Sequence, residues 1–122
     1  MNITIRGVRD NGTLSDERLV LVVEEDLDIG EYCVADTTYI KEGTVSNKLR
    51  HFYWFPDKSI KKGDLVVLYT KSGKYSYREN KDGTKSHFFY WGLDNTVWNA
   101  DGDCAVVFEI FSWKHKRVLP KE

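Results

Sequence analysis

Between residues 51 and 107 the chain alternates short aromatic or aliphatic runs with turns built on Gly and Asp. HFYWF (51–55), LVVLYT (65–70), SHFFYW (86–91) and CAVVFEIF (104–111) are rich in β-branched and aromatic residues, which suit a pleated, half-buried surface. No window of the chain holds a 3.6-residue hydrophobic period over about ten residues. The predicted class is therefore all-β, and the spacing of the turns predicts an antiparallel β-sandwich.

The rest of the chain fits that class. Residues 2–8 alternate and predict a strand, closed by Asn11-Gly12, a strong short turn signal. Residues 18–24 are an almost unbroken apolar run, which predicts a strand buried on both faces. Short strands are expected at 31–35 and 37–40 around Asp36, then at 50–55, 65–70, 74–78, 86–91, 96–98, 104–111 and 112–118, with loops over 26–30, 41–49 and 56–64. Lys, Tyr, Ser, Tyr and Arg at 74–78 suit an exposed edge ribbon, turned at 80–83 (NKDG).

Length and composition set limits. The chain has 122 residues, which fits a single domain over 1–122. A domain of this size buries about two-thirds of its unfolded surface, so the core needs no metal or disulfide. Aromatic residues make up 14%, enough large flat side chains to fill a sandwich. Net charge is -1, which excludes a polycation. Residues 1–40 nevertheless hold three Arg against nine Asp and Glu, and residues 41–122 hold fifteen Lys and Arg against ten. Cys33 and Cys104 lie in apolar runs and are expected as buried free thiols. The sequence begins without a basic and apolar leader and has no membrane-length apolar run, so a cytoplasmic location and no membrane span are expected.

The motifs Phe52-x-Trp54-Phe55-Pro56-Asp57, Ile60-x-x-Gly63-Asp64-x-Val66-Val67-x-Tyr69-Thr70, Trp91-Gly92, Val97-Trp98-Asn99 and Gly102-Asp103-x-Ala105 together resemble those of the lamin tail domain. The resemblance covers residues 27–112, with Leu27 to Tyr32 standing where the family tends to carry Leu-x-Gly-Trp, and residues 1–26 read as an N-terminal strand extension. It implies an immunoglobulin-like β-sandwich used for binding or tethering rather than catalysis. On the residues themselves, Asp64 and Asp103 are expected to hold turns, and Trp54, Trp91 and Trp98 to rest on Val66, Leu68 and Val106 in the core.

No nucleophile elbow or phosphate loop is present, so no catalytic residue is assigned and no enzyme is expected. No cofactor is expected. Asp101 and Asp103 on a Gly turn are weak candidates for a metal, and Trp98 beside them for a sugar, as in a metal-dependent small-ligand or carbohydrate binder. His51 and His87 each open an aromatic run and are candidate neighbours in a sheet. The hairpin 71–90 carries Lys71, Lys74, Arg78, Lys81 and Lys85 among Tyr75 and Tyr77, the pattern of a nucleic-acid surface. Period-2 alternation leaves Tyr53 and one of Phe89 or Tyr90 as candidates for an exposed aromatic patch. The leading expectation is a protein-binding module using that patch and the edge hairpin; nucleic acid is the alternative partner, and a homo-oligomer is compatible with both.

Overall fold

The computed structural model describes residues 1–120 and is nearly all β. Strand β1 (Ile3–Arg9) pairs antiparallel with β2 (Arg18–Val23), joined by the loop 10–17, in which Asp10 and Gly12 take positive φ. β2 pairs in turn with β8 (Leu65–Tyr69). β10 (Lys85–Tyr90) lies parallel to β8 on its other side, and β9 (Ser76–Glu79) closes the edge. The larger sheet therefore runs β1-β2-β8-β10-β9.

The smaller sheet is centred on β4 (Tyr32–Lys41). β11 (Asp103–Glu109) pairs with it on one side; β5 (Thr44–Val45) and β6 (Phe52–Trp54) pair with it on the other. A small ribbon of β3 (Leu27–Asp28) and β7 (Ser59–Ile60) flanks the two sheets. Asp28 fixes it: one carboxylate oxygen accepts Gly30 N–H at 2.8 Å and Lys58 N–H at 2.9 Å.

Alternation decides what is buried. Leu19, Leu21 and Val23 of β2, Val66 and Leu68 of β8 and Phe89 of β10 share one face. They pack with Tyr32 and Val34 of β4 and with Ile29, Phe55, Ile60, Val97 and Trp98 from the connecting segments. Val20 is buried on the opposite face, but Arg18 and Val22 on either side of it are half-buried, so β2 is fully covered on one face only, short of the two buried faces its apolar run predicts.

Several sequence expectations are corrected. The two short strands around Asp36 are one continuous strand, because Asp36 turns its carboxylate inward onto a partner instead of breaking the pairing. Residues 96–98 are not a strand, yet Val97 and Trp98 are buried. Residues 112–118 form no strand; the segment leaves β11 and carries Trp113 edge-on against Trp54 at 5.1 Å. Trp54 is 44% exposed and lies outside the core, and Val106 shares its outward side.

Candidate recognition site

The parity of β6 decides which aromatics meet solvent. Tyr53 faces inward, edge-on to Phe55 at 5.0 Å and to Trp91 at 6.0 Å, and burial pushes its phenol pKa up. It is therefore no part of an exposed patch, and Phe89 is buried as well. Phe52 and Trp54 point outward in their place. Run 52–55 shows the alternation but not its phase, because both parities place aromatics on each face.

On that outer face Phe52 is 51% exposed and contacts Phe108 of β11, ring centroids 6.2 Å apart. The two rings meet across β4 because β4 offers small side chains there, Cys33 and Ala35, each directly opposite residues of both neighbouring strands. Val45, Leu49, Val106 and Phe108 line an apolar cavity of about 250 Å³ beside them. Burial pushes the Cys33 thiol up to about 11. Cys104 lies four residues along β11 from the partner of Cys33, roughly 13 Å away at strand rise, too far for a disulfide.

The hairpin forms as expected, with β9 at the sheet edge, but its residues divide. Tyr75 is committed: its hydroxyl lies 2.7 Å from His87 Nδ1, and Lys58 Nζ sits 4.8 Å from its ring centre. His87 Nε2 is 2.9 Å from Asp64 Oδ2. A carboxylate only accepts, so Nε2 carries the proton and, in the neutral ring, Nδ1 accepts from the Tyr75 hydroxyl. Asp64 also accepts Lys85 N–H at 3.0 Å and Lys61 N–H at 3.2 Å, the turn-holding role its Gly-Asp motif predicts. Burial alone raises the carboxyl pKa; these backbone donors and His87 outweigh it and hold Asp64 below the usual carboxylate range.

Lys85 Nζ lies over the Tyr77 ring at 4.9 Å; Lys74 and Lys81 are exposed. Lys71 and Arg78 belong to a larger group on the outer face of the five-stranded sheet. Lys71 and Arg18 lie over Tyr69 at 5.0 and 5.9 Å, and Arg78 lies over Phe88 at 5.6 Å. Tyr69 stacks on Tyr90 at 5.4 Å. Arg9 is directly opposite Arg18, and Arg6 lines a cavity with Val22 and Arg78. All three arginines of the acidic N-terminal third thus gather here, a juxtaposition that only strand pairing reveals.

His51 and His87 are not neighbours. His51 bonds through Nδ1 to Asp36 of the smaller sheet at 2.9 Å, whereas His87 belongs to the larger. A groove of about 640 Å³ runs from His51 past Arg50 to the 96–103 loop. Arg50 crosses it, donating to Asp103 at 2.6 Å. Asp103 also accepts Asn99 N–H at 2.6 Å, so one of its oxygens holds the turn and the other is taken by Arg50. Among the described residues no group of three or more His, Cys, Asp or Glu side chains is placed to hold a metal ion. Trp98 is 5% exposed, which leaves no ring face for a sugar. Among the described residues no helix is long and apolar enough to cross a membrane.

No family model, curated protein or solved structure matches this chain.

Proposed function

We propose that this chain is a non-catalytic recognition module, an immunoglobulin-like sandwich of the lamin-tail kind, that binds another protein through the outer face of its smaller sheet. The supporting observation is the contiguous apolar surface of Phe52, Trp54, Val106 and Phe108 around buried Cys33 and Ala35. Exposed aromatics that touch one another and border an apolar cavity are the usual centre of a protein interface. Asp64, Asn99 and Asp103 each hold a turn through a side-chain bond, which leaves the apolar face rather than these residues as the binding surface.

The test is substitution on that face. Phe52→Glu is expected to leave the unfolding temperature within a few degrees, because the side chain is half exposed. It is also expected to abolish binding of a hydrophobic dye and capture of a stoichiometric partner from native extract. Undiminished dye binding and capture by this variant would exclude the face.

A second reading has its own observation. Arg6, Arg9, Arg18, Lys71 and Arg78 surround Tyr69, Phe88 and Tyr90 on the opposite sheet, which suits single-stranded nucleic acid. Asp10 offsets one of these charges, bonding Arg18 at 2.7 Å. Binding of an oligothymidine that falls steeply as salt rises supports this reading; no binding at low salt removes it.

A further inference from the structure

The open edges of the two sheets are not alike. β1 is bulged between Ile5 and Gly7 and carries Arg6 and Arg9. β9 is four residues long and includes Arg78 and Glu79. β5 and β6 are two and three residues long. Brevity, bulges and charge are the devices that keep an edge from pairing with other chains. β11 has none of them across its middle. It runs seven residues in unbroken register with β4, and residues 104–108 are Cys, Ala, Val, Val and Phe.

The register shows which backbone groups are free. Tyr39 N–H donates to Gly102 O at 2.8 Å, and Ile110 N–H to Glu31 O at 2.8 Å. Both bonds join residues directly opposite in the pairing, and bonded pairs alternate along an antiparallel ladder. Residues 104, 106 and 108 therefore bond to β4, and residues 103, 105, 107 and 109 present N–H and C=O outward. Asp103 N–H is taken by Asn99 O. The N–H and C=O groups of Ala105, Val107 and Glu109 have no backbone partner among the described residues.

The facing sheet has room for one more strand. Ile3, Ile5 and Val8 share the inner side of β1, opposite buried Val23, Leu21 and Leu19. Ile3 is buried, but Ile5 is 40% exposed. A cavity of about 190 Å³ lined by Val8, Trp98 and Ala105 lies between β1 and β11. A strand added beside β11 would continue the smaller sheet over this ground.

We propose that β11 is an acceptor edge for β-strand addition, and that its occupant is an extended segment of another protein with alternating apolar residues at its centre and basic residues at its ends. This deepens the protein-recognition reading and rests on it. The charge at the ends of the edge selects the occupant: Asp101 at one end, where Asp103 is already paired with Arg50, and Glu109 at the other. A second copy of β11 fits less well. The antiparallel register that pairs all seven residues sets Asp103, already bonded by Arg50, against Glu109 at both ends, so a second copy supplies no basic group to meet Glu109.

The experiment uses a labelled peptide of alternating valine and threonine with lysine at each end, followed by anisotropy and by amide spectra of the whole chain. Binding is expected to shift and protect the amides of Ala105, Val107 and Glu109, which are expected to exchange fast in the free protein. Val107→Pro removes one outward N–H and leaves the β4 ladder intact, so it is expected to weaken binding at least ~10-fold. Glu109→Lys, which leaves the backbone unchanged, is expected to weaken binding as well. No binding, binding indifferent to both substitutions, or amides of 105, 107 and 109 already protected in the free chain overturns the inference. Self-association that competes with the peptide assigns the edge to a second copy and overturns the heterologous occupant. A captured partner lost with Phe52→Glu but kept by Val107→Pro overturns the edge alone; one kept by both variants removes the aromatic-face reading too.

Discussion

Glu17 Oε2 accepts the backbone N–H of Val97 at 2.8 Å, across 80 residues of sequence. The carboxylate is fully buried and also takes Thr70 Oγ1–H at 2.6 Å, Gly12 N–H at 3.0 Å and Trp98 N–H at 3.3 Å. One side chain thereby joins the first turn, the end of β8 and the irregular segment before β11. Glu17→Gln keeps the size but sets an NH₂ against a donor-rich pocket. It is expected to cost about 1–3 kcal/mol, and Glu17→Ala about 3–5, by chemical denaturation. Unchanged stability in the alanine variant would show that these donors find other partners.

Trp98 and Trp54 test the core against the surface. Trp98→Ala is expected to lose about 3–5 kcal/mol, because the ring is buried among Trp91 and the apolar side chains around it. Trp54→Ala loses an indole hydrogen bond to Gly30 O at 2.7 Å and an exposed contact, and is expected to cost about 1 kcal/mol. Equal melting temperatures for the two variants would refute this division.

Asp64 sets an acid limit. Its folded pKa lies below the unfolded carboxylate value of about 3.9, so its contribution is fully present above that value. The contribution is lost as pH falls through the lower folded pKa. Asp64→Asn is expected to be less stable at neutral pH, with the deficit shrinking in acid. A deficit that stays constant from pH 7 to pH 2 would contradict the assignment.

The two thiols are expected to react unequally. Cys33 is buried with its thiol near 11, whereas Cys104 is half-buried. At pH 8 iodoacetamide is expected to modify Cys104 in the folded chain and Cys33 only after unfolding, by mass spectrometry of the digests. Prior labelling of Cys33 would mean that the outer face opens.

The elements legible in the sequence are those whose pattern is local. β1, β2, β8, β10 and β11 follow from their alternating or unbroken apolar runs, and the NKDG turn marks the hairpin. Side-chain parity in an all-aromatic run is not local. Tyr53 faces inward because β6 pairs with β4 in a register fixed by Cys33, Val34 and Ala35 opposite, and nothing in HFYWF encodes that register. The basic outer face escaped for the same reason, since Arg6, Arg9 and Arg18 lie far in sequence from Arg78. Glu17 carries no local signal at all. Its partners lie on segments joined only by the finished fold.

β8 and β10 lie side by side in the same direction, so the chain between them must travel back along the sheet before it can return. A nascent chain leaving the ribosome makes the β1–β2 ribbon first, and Leu19 and Leu21 stay uncovered until the facing layer, from Tyr32 and Val34 to Val97 and Trp98, has been made. Non-local pairing of this kind slows folding. During synthesis the first two strands are thus the natural ground for a chaperone, and a pause before residues 97 and 98 emerge is where premature aggregation would begin.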